Sequence, residues 1–256
     1  MTRAPASAAP PATPEDLLRK ATLARTAGLR AKYAQRGLAH QGAVDRTTRA
    51  MLLRQLYLSY MEARRFEDAL VIADQMVVLD VMPDVARQDA ARACLGLGDR
   101  DGAIDHLRLA GRVSPPSRRA FHLWTLGSVL CLSGRPADAV GALERAARWG
   151  TVDRPLYLAQ LALARRAAGE SVGREALEAL REQLADEPCG QGYGQFVLGQ
   201  LAYELGDDDA SRQYLRAFVR RATGGRVALA VALDAETTHA RRLLSRLRRR
   251  RAKAAE

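Results

Sequence analysis

At 256 residues and 48% hydrophobic content the chain can bury a long continuous core. No run approaches the roughly 18 apolar residues of a membrane span, and the N-terminus lacks the apolar stretch of a secretory signal, so the expectation is a soluble cytoplasmic protein. Three scattered cysteines, Cys94, Cys131 and Cys189, form no Cys-x-x-Cys pair, which argues against a disulfide framework or a structural zinc site.

The formal charge of +11 is concentrated at one end. Arg241–Glu256 holds seven arginines and one lysine against one glutamate, a local charge of +7. Arginine outnumbers lysine 37 to 3, which looks like the coding bias of a GC-rich bacterial genome and is not by itself a nucleic-acid signal.

Taken in chain order, residues 1–13 are Ala/Pro-rich low complexity and are expected to be disordered. Residues 14–49 read as a degenerate helical hairpin, with Leu17, Leu18, Ala21 and Ala24 before Gly28, then Tyr33, Ala34 and Leu38. From residue 50 to 222 a two-helix pattern recurs. Its punctuation is Gly98, Gly134, Gly169 and Gly206, separated by 36, 35 and 37 residues. Ala50–Pro83 carries Leu53, Leu56 and Tyr60 on a first helix, and Phe66, Ala69, Ala73 and Met76 on a second. Asp84–Ser117 places Ala90, Ala91 and Cys94 before Gly98, then Ala103, Leu107 and Ala110. The unit from Ala120 has Leu123, Leu126, Gly127 and Leu130 before Gly134, then Ala139, Leu143 and Ala146.

The fourth unit is looser. Arg174 falls where a small residue is expected, and an insertion of two residues would bring Ala176 and Leu180 into register. The fifth recovers with Leu198, Gly199 and Ala202, then Ser211, Leu215 and Phe218. Residues 223–256 supply an amphipathic cap containing Val227, Leu229, Leu233, Leu243, Leu244 and Leu247, followed by the basic tail.

These small and large positions resemble the signature of the tetratricopeptide repeat (TPR) family, in which small residues let paired helices approach closely. The resemblance implies an all-α, right-handed helical solenoid of about five helix pairs with extra helices at both ends. It also implies that the first helix of each repeat lines a concave groove. The matching positions are Arg54, Gln88, Arg92, Phe121, Trp124, Tyr193, Phe196, Gln200 and Tyr203. Aromatic and arginine residues suit a hot spot for a protein or peptide carrying apolar anchors and an acidic group. The competing reading is that Phe121 and Trp124 pack between helices. The family's clamp for a peptide carboxylate does not match, because Arg54 and Leu58 stand at its lysine and asparagine positions.

Catalysis finds little support. The glycine-rich run from Cys189 to Gly194 lacks the lysine and hydroxyl residue of a phosphate loop and reads as an inter-repeat turn. His40, His106, His122 and His239 are isolated, so neither a base for Cys189 nor a metal motif is expected, and no cofactor is implied. The leading expectation is a non-catalytic adaptor. The alternative is an accessory factor that holds nucleic acid or anionic lipid through Arg248, Arg249, Arg250 and Arg251.

Overall fold

A computed structural model describes residues 12–253, apart from Pro188 and Arg226. The segment 1–11, expected to be disordered, lies outside the described residues. Among those described there is no strand, and the chain forms fourteen α-helices that divide into two compact units, Met1–Met82 and Pro83–Glu256.

The first unit holds α1 (Pro14–Leu23), α2 (Ala27–Leu38), α3 (Arg46–Glu62) and α4 (Phe66–Leu79). Side-chain caps fix three of the starts. Thr13, Thr26 and Asp45 accept hydrogen bonds from backbone N–H groups of the first turns of α1, α2 and α3, satisfying donors that have no helical partner. The helices pack in sequence, and Gly37 lets α2 approach α3 closely. A Cβ at Gly37 would stand 2.8 Å from the Leu52 methyls. Arg30 ties α2 to the end of α3 through Glu62 at 2.8 Å.

The second unit continues with α5 (Pro83–Leu97), α6 (Arg100–Val113), α7 (Pro116–Leu132), α8 (Pro136–Trp149), α9 (Arg154–Ala167) and α10 (Arg174–Asp186). After a 3-10 turn at Gly190–Gly192 come α11 (Gly194–Leu205), α12 (Asp208–Thr223), α13 (Val227–Ala232) and α14 (Asp234–Lys253). Each helix from α5 to α12 packs on the next, and α9 also touches both α7 and α11. Ala103, Ala110, Ala139 and Ala146 are completely buried at the helix contacts. Gly199 has no room for a Cβ, which would lie 2.6 Å from Leu215. Ser211, opposite it, is buried and donates to the Gly199 carbonyl at 2.8 Å.

The recurring glycines end the first helix of each pair. Gly98, Gly134, Gly169 and Gly206 have φ between 78° and 89°, and the residue after each donates its N–H to a carbonyl five residues back at 2.9 Å. The same turn closes α3, with Arg64 at φ 56° and the Arg65 N–H bonded to the Tyr60 carbonyl at 2.9 Å. Arg64 stands 34 residues before Gly98, so the first repeat has the geometry without the glycine.

One expectation needs correction. In α10 the buried positions are Leu177 and Leu184, while Ala176 is exposed and Leu180 half-buried. The link of six residues between α9 and α10 shifts the register by one beyond the expected insertion. The expected amphipathic cap is α14, which runs helical through Lys253 and whose buried Thr237, Ala240, Leu243 and Leu247 seat it mainly on α12.

Candidate functional site

The residues expected to line a groove divide by unit. Arg54 lies half-buried on α3 in the first unit. The others lie in the second: Gln88 and Arg92 on α5, Phe121 and Trp124 on α7, Tyr193 just before α11, and Phe196, Gln200 and Tyr203 along it. Stacking of α7, α9 and α11 brings the aromatics together. Trp124 lies 5.8 Å from Tyr157 and 4.8 Å from Tyr193, which meets Phe196 at 5.4 Å, and Phe196 meets Phe218 at 5.0 Å.

The cluster is closed. Trp124, Tyr193 and Phe196 are 9%, 7% and 1% exposed, and only Phe121, at 38%, reaches solvent fully enough to contact a partner. The indole N–H of Trp124 donates to Gln160 Oε1 at 2.5 Å, and Gln160 Nε2 donates to Ser128 Oγ at 2.9 Å. The Tyr193 hydroxyl donates to Glu236 of α14 at 3.4 Å, and His239 sets its ring edge-on against Phe196. The start of α14 therefore lies over the aromatic row. Aromatic rings bury 150–250 Å² each, and their polar handles find partners here, so packing consumes the surface that the sequence positions suggested for binding. Gln88 is buried as well, while Arg92, Gln200 and Tyr203 are half-buried.

Charge inside this region follows its burial. Desolvation pushes the Glu236 carboxyl up to about 7 and, with Glu236 nearby, raises the Tyr193 hydroxyl well above its usual range. His239 is lowered by burial and then by Arg246 and Arg242. Arg250 of α14 stacks over Tyr203 at 4.3 Å and pairs with Asp208 at 3.3 Å, whereas Arg248, Arg249 and Arg251 are exposed.

A second buried cluster joins consecutive repeats. Asp84 at the start of α5 accepts from Arg118 at 2.7 and 2.9 Å and pairs with His122 Nε2 at 3.0 Å. Burial would raise the Asp84 carboxyl, but the hydrogen bonds from Arg118 and His122 outweigh it and hold it below its ordinary value. Burial lowers His122, which keeps the ring neutral near pH 7. Asp84 and Arg118 are 34 residues apart, one repeat period, and that spacing was the available signal for the pair. Cys189 is half-buried beside the 3-10 turn with its thiol raised by burial, and burial pushes Cys131 up to about 11, so neither thiol is activated.

The open site is elsewhere, in a groove of about 580 Å³ where α6 and α8 flank α7. Its floor is Leu123, Leu126, Leu130 and Ala142, and its rim carries Arg108, Arg112, Arg119 and Arg145. Trp149, the last residue of α8, is 44% exposed, and the Arg119 guanidinium stacks over it at 4.6 Å. Arg119 is anchored by donating to the Ser114 carbonyl at 3.0 Å, and Arg108 pairs with Asp105 at 3.0 Å. Asp138, the one carboxylate in the lining among the described residues, is engaged by Arg135 at 2.7 Å. The result is an apolar trough with a cationic edge and one displayed indole. Reading only the first-helix positions missed it. The available signal was the Arg108/Arg112 pair, one turn apart on α6, with a tryptophan ending the next second helix.

No family model matches the sequence, and no curated protein matches it. Solved structures do share its fold. MamA aligns with TM-score 0.53 and 19% identity over 69% of this chain and 96% of its own. The pilF protein of Pseudomonas aeruginosa gives TM-score 0.58 and 14% identity over 85% of this chain and 95% of its own. A kinesin light chain from Podosopora anserina with nearly identical TPR-like repeats gives 0.52 and 16% over 72% of this chain and 100% of its own. Paired helices, left-handed glycine turns every 35 to 37 residues and these neighbours agree that this protein has the fold of the tetratricopeptide-repeat proteins.

Proposed function

We propose that this protein is a non-catalytic adaptor that holds a segment of a partner protein in the groove between α6 and α8. The observation that carries this reading is the exposed Trp149 stacked on Arg119 beside an apolar floor. An indole with an arginine neighbour offers large contact area and directional donors with few torsions to freeze, the combination enriched at binding hot spots. The cationic rim, on which Arg112, Arg119 and Arg145 have no carboxylate within ion-pair distance among the described residues, selects a segment with an apolar anchor flanked by aspartate or glutamate. The buried aromatic row then acts as the rigid support behind α7. Three free cysteines suit a reducing compartment, and the cytoplasm is the proposed setting. Among the described residues, no helix is long and apolar enough to cross a membrane.

The test is selection from a displayed random-peptide library on the full chain. Enriched peptides should pair Leu, Phe or Trp with acidic neighbours, and Trp149→Ala and Arg112→Glu should each weaken them at least tenfold with unchanged melting. Peptides that bind both variants as they bind the parent would place the partner surface elsewhere.

A further inference from the structure

Seating α14 on α12 joins two sets of arginines that the sequence keeps apart. On α12, Arg212, Arg216 and Arg220 recur every four residues, one above another on a single face with a rise of about 6 Å between them. Across from them, Arg248 and Arg251 project from the last turns of α14, and the five enclose a cleft of about 700 Å³. Among the described residues Asp209 is the only carboxylate in the lining, and it is taken by Arg212. Arg216, Arg220, Arg248 and Arg251 are exposed, and none has a carboxylate within ion-pair distance among the described residues. Clustered like charges raise the energy of the folded protein, and an anion bound among them relieves it.

We infer that the cleft between α12 and α14 binds the phosphodiester backbone of a nucleic-acid duplex without reading its sequence. Guanidinium groups fit phosphate through paired N–H donors, and a two-sided row of them suits a ridge of regularly spaced anions. The chemistry of the lining separates this ligand from other polyanions. Among the described residues the cleft offers, besides the arginines and Asp209, only Gln213 and Ala252, so an acidic peptide finds no apolar pocket for an anchor. No aromatic side chain is available to stack an unpaired base, which favours a duplex over a single strand. The cleft is concave and carries no large apolar residue on its lining, so a flat bilayer surface does not reach its recessed Arg212. This site is separate from the groove at Trp149 and stands or falls independently of it.

Binding of the full chain to a short fluorescent DNA duplex of arbitrary sequence, and to the matching RNA duplex, is followed by anisotropy from about 50 to 200 mM salt. Contacts from the four unpaired arginines predict a slope of log K against log salt near −4 on DNA, and the duplex with the tighter binding identifies the natural source. Arg216→Gln with Arg220→Gln, and separately Arg248→Gln with Arg251→Gln, should each weaken binding at least tenfold at the lower salt and flatten the slope by about 2. Arg100→Gln with Arg148→Gln, two exposed arginines outside the cleft, should change it less than threefold, and circular dichroism should be unaltered in all three. The inference is overturned if the control pair loses as much as the cleft pairs. Cleft variants that bind like the parent also overturn it, as does a polyglutamate peptide or a phosphatidylserine vesicle that binds more tightly than either duplex at equal charge.

Discussion

Two tryptophans sit on consecutive helices of this protein and have opposite fates. Trp124 packs on Tyr157 of α9 and on Tyr193, donates to Gln160 and lies within a cluster that the start of α14 covers, whereas Trp149 ends α8 largely open to solvent with an arginine stacked over it. Residue type does not decide between them, and neither does amphipathic position on the helix. What decides is whether a later element arrives to cover the ring. Aromatic positions in a repeat array therefore show where contact area is available, and the cap at the end of the array shows how much of it remains for partners.

The largest test of this contrast is truncation of each ring. Trp124→Ala should cost about 3–5 kcal/mol, because it opens a cavity and strands the Gln160 side chain, while Trp149→Ala should cost less than about 1 kcal/mol. Denaturant midpoints of the two variants measure this directly, and equal losses would erase the distinction between support and surface. Next in size, Ala139→Leu should destabilise by about 1–3 kcal/mol. This position is completely buried where α8 meets its neighbours, and the extra carbons have nowhere to go.

The lid over the aromatic row can be probed by pH. Because the Glu236 carboxyl is raised in the folded protein, the native state holds its proton over a window in which the unfolded chain has lost it. Its contribution to stability is therefore full below about 4.5 and is lost as pH rises toward 7. Glu236→Gln should raise stability by about 1–3 kcal/mol at pH 8 and change little at acid pH, measured as melting temperature across the range. His122 and His239 are shifted downward, so they cost stability as pH falls below their ordinary 6.5, but parent and variant share that loss. A gain independent of pH would mean that Glu236 is ionised in place. The smallest effect belongs to the first repeat. Arg64→Gly should stabilise by about 0.5–1 kcal/mol, since the side chain is held at positive φ, and Gly206→Ala should do the reverse.

Much of the fold was legible because its strongest signals are local. A left-handed turn that favours glycine and a helix contact that admits only alanine or glycine are written at single positions, so Gly98, Gly134, Ala103 and Ala139 could be read one by one. Arg64 escaped because the turn is enforced by its hydrogen bonds and the flanking helices, with the residue adapting at modest cost. The α10 register escaped because a long link decouples it from the repeat before it. The site was less legible for a different reason. Whether Trp124 and Phe196 are surface or core depends on Glu236 and His239, which follow Phe196 by some forty residues and carry no repeat signal. The cleft of arginines has the same origin, since nothing in the spacing of α12 indicates which face α14 will share.

The position of α14 also has a consequence in time. During synthesis Tyr193, Phe196 and Phe218 are complete before Glu236, His239 and Leu243 have been added, and at about 5–20 residues per second the gap lasts on the order of seconds. For that interval the nascent chain displays a sticky aromatic face that the finished protein hides. The cap is thus as much a safeguard of biogenesis as a part of the folded architecture, and the same face is what a chaperone would meet first.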